Sequence, residues 1–283
     1  MDIQTYRNLW GYPGPRERAV VEIEEAGYDG IEAVLFSAEE HTLLRKAMRG
    51  RSIPFRGVIL NGDGGTSVAD QLRTFTAKLT AYARMGATSV NAISGYDCWS
   101  ADEAARFYES ALKVAEKTGL PVSHETHRNS ALFHPSVARR VIERFPELSL
   151  TCDFSHWVVA CERLIEDQAD LIRLCGSRAT HIHTRVGNEQ SPQLSDVRAP
   201  EAGPYLAAFE RWWEIVWEEQ AARGLPTTVV CPEFGPPPYQ QTLPHTGMPV
   251  ADLKAVCDWQ RERQMAHFAA WSVQRRGRPR TRS

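Results

Sequence analysis

Residues 121–127 read Pro-Val-Ser-His-Glu-Thr-His, a short run that opens two positions after Gly119 and closes in groups able to bind a cation or carry a proton. The ending recurs three times downstream. Residues 151–157 read Thr-Cys-Asp-Phe-Ser-His-Trp, residues 181–185 His-Ile-His-Thr-Arg, and residues 231–235 Cys-Pro-Glu-Phe-Gly. Each follows a few β-branched or apolar residues, the composition of a strand buried on both faces of a parallel sheet. The same beat extends back to the N-terminus. Strands are expected at 2–6, 29–35, 55–60, 89–93, 121–125, 148–153, 180–184 and 228–233. Amphipathic stretches lie between them. One spans 15–26, with Pro15 near its start and Gly27 past its end, and another spans 68–85 before Gly86. A third begins at Ser100, with Glu103 three residues on as in a capping box, and stops at Gly119. A fourth is expected over 161–174, before Gly176.

Eight strands, each followed by a helix, predict an α/β protein built as one (β/α)8 TIM barrel over residues 1–274. The 283 residues suit one barrel of about 250 plus loops. A doubly wound open sheet would place Gly-x-Gly-x-x-Gly after its first strand, and residues 7–13 read Arg-Asn-Leu-Trp-Gly-Tyr-Pro. The glycine-rich stretch 61–65 lacks the lysine of a phosphate loop and reads as a flexible loop after the third strand. Two long connections, 185–204 and 235–249, leave the C-terminal ends of strands, the face where barrel enzymes hold their sites. The second carries five prolines and is expected to be a shaped wall.

Charge distribution narrows the function. Arginines at 275, 276, 278, 280 and 282 make residues 275–283 a basic tail, expected to be disordered. The remainder holds 28 basic against 35 acidic residues. An acidic body of this kind argues against a nucleic-acid partner, whose phosphates need clustered Lys and Arg. No apolar stretch is long enough to span a membrane, and the first residues show no secretory h-region. The six cysteines (98, 152, 161, 175, 231, 257) form no Cys-x-x-Cys pair, so reduced thiols and a cytoplasmic location are expected. After the seventh strand, Phe209, Trp212, Trp213, Ile215, Val216 and Trp217 span an apolar arc of roughly 200° of helix, wider than a surface helix needs. A homo-oligomer contact or a covering loop is expected over the surplus.

In a closed barrel the last four strand ends meet at one mouth, which brings Glu125, Asp153, His183 and Glu233 to a common point. Three carboxylates at close range raise one another's pKa, and a divalent cation resolves the conflict. Oxygen-rich ligation with one nitrogen suits Mn2+ foremost, with Mg2+, Co2+ or Zn2+ as alternatives. Strand alternation points His181 and His183 into the barrel, with His183 nearer the mouth. Cys152 faces away, and Cys231 lies one layer below Glu233.

These four runs, His124-Glu125-Thr126-His127-Arg128, Asp153 to Trp157, His181 to Gly187 and Pro232-Glu233-Phe234-Gly235, resemble the xylose-isomerase-like TIM-barrel superfamily, in particular its sugar-phosphate isomerase/epimerase branch. The resemblance implies one metal ion on Glu125, Asp153, His183 and Glu233, with Glu125 and Glu233 also moving protons. It implies substrate contacts from His156, in the pattern Asp-x-x-His. The epimerases of this group carry a substrate-binding arginine six residues past the ligand histidine. Here that position is Glu189, and Arg185 is expected to substitute. His127, Arg128, Trp157, Asp97, Trp99 and Trp10 complete the expected substrate contacts.

The groups imply a reaction. A polyhydroxy-ketone held by the metal loses a proton to a carboxylate, passing through a metal-bound ene-diolate. Return of the proton on the other face of the same carbon is epimerisation; return on the neighbouring carbon is isomerisation. If a β-hydroxyl leaves instead, the enzyme is a lyase resembling inosose or dehydroshikimate dehydratases.

Overall fold

Eight parallel strands pair in chain order in the computed structural model, and the last hydrogen-bonds to the first, closing the sheet. They are β1 (Asp2–Asn8), β2 (Gly30–Val34), β3 (Phe55–Ile59), β4 (Ser89–Ala92), β5 (Val122–Glu125), β6 (Leu150–Cys152), β7 (Ala179–His183) and β8 (Thr227–Cys231). The structure describes residues 1–35, 37–62 and 64–277. Among these, nine α-helices surround the sheet: α1 (Arg16–Glu25), α2 (Ala38–Ala47), α3 (Val68–Met85), α4 (Ala101–Thr118), α5 (Pro135–Arg144), α6 (Ser155–Cys161), α7 (Ala169–Gly176), α8 (Gly203–Ala222) and α9 (Leu253–Gly277). The architecture is the single-domain (β/α)8 barrel. None of the described helices is long and apolar enough to cross a membrane.

Local chemistry sets the helix ends. Ser100 Oγ accepts from the Glu103 amide at 3.3 Å, and the Glu103 carboxylate accepts from the Ser100 amide at 2.9 Å, closing the capping box on α4. Gly119 then turns left-handed, with φ +70°, and ends the helix. The helix expected over 161–174 is corrected. Helix α6 starts directly after β6 and ends where Glu162 turns left-handed, with φ 50°. A 3-10 turn at Glu166–Gln168 then restarts the chain into α7.

The arc on α8 is covered from within the chain. Trp213 and Trp217 are wholly buried. Phe268 and Trp271 of α9 pack on the Trp217 ring at centroid distances of 5.1 and 5.6 Å. A C-terminal helix therefore covers the Trp217 end of the arc. That helix also corrects the start of the expected tail: it continues through Gly277, and Arg275 pairs with Glu218 at 3.1 Å. Residues 278–283 lie outside the described residues.

Apolar side chains fill the space between sheet and helices, whereas the barrel interior is polar. Arg56 donates to Ser123 Oγ at 3.1 Å, and Ser123 shares a hydrogen bond of 2.6 Å with Thr151. The Tyr6 ring faces His181 at 6.4 Å. Opposite it, Gly30 leaves room that a Cβ would fill, 2.4 Å from the ring. This layer is the floor on which the mouth of the barrel is built.

Candidate active site

A cavity of about 370 Å³ opens over the C-terminal ends of the strands. Val34, Val58, Leu60 and Ile93 form one wall, and Glu125, Glu233, Arg185 and His127 face them. Trp10 and Tyr239 complete the rim, their rings edge to face at 5.0 Å. Tyr239 comes from the proline-rich connection, which is therefore a wall of the cavity. Gly235 is required there, because a Cβ would lie 2.1 Å from the Trp10 ring.

Below this cavity the four strand-end groups meet. One ligand atom from each of Glu125, Asp153, His183 and Glu233 lies within 4.8 Å of all the others. His183 Nδ1 is 3.0 Å from Glu233 Oε2, 3.7 Å from Glu125 Oε1 and 3.7 Å from Asp153 Oδ2. Yet neither His183 Nδ1 nor Glu125 Oε1 makes a hydrogen bond, although both are buried. Buried polar atoms are ordinarily satisfied. These two point instead at a shared centre, lined by oxygens and one nitrogen, as a divalent cation requires. The residues present fit such an ion.

Neighbours hold the carboxylates in place. Asn91 donates to Glu125 Oε2 at 2.6 Å. Ser155 donates to Asp153 Oδ1 through its amide at 3.0 Å and its hydroxyl at 2.5 Å. Arg185, wholly buried, lies 2.5 Å from Asp153 Oδ2 and 3.3 Å from Glu233 Oε2. The electrostatics follow from this crowding. Burial and the neighbouring carboxylates of Glu233 and Asp153 push the Glu125 pKa up, against the pull of His183. Burial opposes protonation of His183, but Glu233, Glu32 and Glu125 together raise its pKa well above the ordinary histidine range. For Asp153, burial is outweighed by Arg185 and His183, which hold it below the usual carboxylate range.

The expected substrate contacts divide. Trp10, His127 and Arg185 line the cavity with the two glutamates. His156 lies one layer deeper, its ring 3.8 Å from that of His127 and its Nε2 accepting from Arg185 at 2.6 Å. Arg128 sits at the rim, its guanidinium 5.2 Å from the centre of the Tyr239 ring. Three expectations are corrected. Trp157 is in the core and donates to the Leu132 carbonyl at 2.8 Å, because α6 turns it away from the mouth. Trp99 and Asp97 line a separate depression at the start of α4. There Gly95, with φ +69°, lets the chain turn so that the Trp99 ring covers it. Glu189, at the position where the epimerases carry an arginine, accepts from Tyr205 at 3.0 Å.

Sequence reasoning overlooked Glu32, Asn8 and Asn91, all fully buried inside the barrel. For Glu32 and Asn91 the signal is a polar side chain between two apolar ones in a strand; Asn8, in a mostly polar strand, carried none. Asn61 and Tyr239, which line the cavity from loops, carried no such signal.

The family described as xylose isomerase-like TIM barrel matches residues 20–215. The chain belongs to that family. Among solved structures, this family member resembles 3-keto-D-glucoside 4-epimerase from E. coli, with a TM-score of 0.60 and 15% identity over 92% of this chain and 100% of that one. A xylose isomerase-like barrel protein from Mycobacterium smegmatis, in complex with magnesium, matches with a TM-score of 0.62 and 14% identity, over 95% of this chain and 97% of that one. The probable 3-DHS dehydratase AsbF from Bacillus anthracis matches at 0.55 and 16%, over 92% and 98%. At these identities the likeness is one of fold. No curated protein matches this xylose isomerase-like chain in sequence.

Proposed function

We propose that the chain is a divalent-metal-dependent isomerase or epimerase of a sugar or related polyhydroxy-ketone. One observation carries the reading: Glu125 and Glu233, from strands three apart, both face the same cavity and flank the same unpaired His183 nitrogen. The fold neighbours named as an epimerase and as a magnesium complex support it. A cation bound by the four residues supplies Lewis-acid polarisation of a substrate carbonyl.

The chain's own residues do the rest. One glutamate removes the proton from the carbon between two substrate oxygens, and the other returns one. Asn91, at 2.6 Å, orients Glu125 through Oε2 and leaves Oε1 toward the centre. Arg185 pairs with the Asp153 and Glu233 oxygens that face His183 Nδ1, holds both carboxylates in place, and also lines the cavity. The aliphatic wall and the Trp10 and Tyr239 rings exclude water from the reacting carbon and cover the apolar face of a sugar-sized ligand.

Mass spectrometry in D2O tests this. With Mn2+ and a panel of ketoses, inososes and cyclic hydroxy-ketones, metal-dependent uptake of deuterium at an unchanged formula is expected, and its loss in Glu233→Gln. Loss of water from a substrate would move the assignment to a lyase of the dehydratase type. No exchange with any member of the panel would count against proton-transfer chemistry at this site.

A further inference from the structure

Glu32 of β2 is wholly buried directly behind His183 and takes no part in lining the cavity. Its Oε1 accepts from His183 Nε2 at 3.2 Å and from Asn8 Nδ2 at 2.8 Å. Its Oε2 lies 3.1 Å from His181 Nε2. Asn8 reaches on to Glu233 Oε1 at 3.3 Å, so one amide ties this carboxylate to the far ligand.

An ionised carboxylate only accepts hydrogen bonds, whereas a neutral imidazole carries one proton on either of two nitrogens. In the neutral ring that would ligate a cation, Glu32 at Nε2 therefore holds the one proton there. Nδ1 is left with a free lone pair, aimed at Glu125, Asp153 and Glu233.

We propose that Glu32 is a positioning residue that fixes His183 as the Nε2–H tautomer and so makes Nδ1 the metal ligand for one ion per chain. The proposal rests on the metal reading above. Glu32, His181 and His183 also approach one another closely enough to hold a second cation. The positive charge of Arg56, which bears on both Glu32 and His181, disfavours a cation there.

Calorimetric titration with Mn2+ and nitrogen-15 NMR of the histidine-labelled chain loaded with Zn2+ test it together. Wild type is expected to bind one ion, with the His183 proton on Nε2 and the Nδ1 resonance moved by the metal. Glu32→Gln should bind Mn2+ about 10–100-fold more weakly, with a metal-free melting temperature close to that of wild type. Glu32→Asp should recover part of the affinity. If Glu32→Gln does not fold, the wild-type tautomer alone decides. A His183 proton on Nδ1, two ions per chain, or undiminished affinity in Glu32→Gln would overturn the role of Glu32 while leaving the metal site standing. A wild-type chain that binds no metal would overturn both.

Discussion

Asn91 donates to Glu125 Oε2 at 2.6 Å while Glu125 Oε1, equally buried, has no hydrogen-bond partner. One amide thus uses up one face of the carboxylate and reserves the other for the centre of the site. Replacing Asn91 with Ala frees the glutamate to rotate and leaves it less well satisfied. The expected result is a fall in Mn2+ affinity and exchange rate of about 10-fold or more, in the range found when groups behind metal ligands are removed. The fold should survive, and circular dichroism with metal titration would show whether it does.

Crowding of three carboxylates around His183 also predicts a response to metal. The empty site carries repulsion that an ion relieves, and binding to the folded chain alone stabilises it. At a free Mn2+ concentration 100 times Kd the gain should be about 2.7 kcal/mol. Differential scanning calorimetry with Mn2+ and then with excess EDTA would show a reversible rise in Tm. An unchanged Tm in Asp153→Asn would place the effect at this site.

What the sequence makes legible, and what it conceals, follows from where polar residues sit. Glu125, Asp153, His183 and Glu233 stand at or just beyond strand ends, where alternation and the closure of a barrel determine their direction. Glu32 lies between Ile31 and Ala33, and Asn91 between Val90 and Ala92; a lone polar residue in an apolar strand is visible locally, but what it meets is not until all eight strands are joined. Trp157 misleads for the opposite reason. It neighbours His156 in sequence, but α6 begins at Ser155, and successive helical residues diverge by about 100°. The partner of the α8 tryptophans lies some fifty residues on, in α9, beyond the reach of any periodicity within α8.

The α8–α9 junction predicts a dependence of stability on pH. Arg263 holds Glu210 through two contacts of 2.7 and 2.8 Å, and His267 lies 3.3 Å from Glu210 and 2.8 Å from Glu214. Burial works against the charge on Glu210, but Arg263 and His267 bring its pKa down to about 2. Burial likewise opposes protonation of His267, and Glu210 and Glu214 outweigh it and raise the pKa above 6.5. A depressed carboxylate adds stability above its unfolded value of 4.5, lost as pH falls toward about 2. A raised histidine adds stability that is full below 6.5 and lost as pH rises through its folded value. The junction is therefore strongest between these limits. His267→Gln should cost about 1 kcal/mol at pH 5.5 and much less at pH 9, measured by urea unfolding at both.

Metal content measured on the purified chain bears most directly on the central claim. After equilibrium dialysis against Mn2+, plasma mass spectrometry should find one ion per chain in wild type and a large loss in both Asp153→Asn and His183→Gln. Wild-type protein without stoichiometric metal, or variants that retain it in full, would contradict the assignment of Glu125, Asp153, His183 and Glu233 as a metal centre.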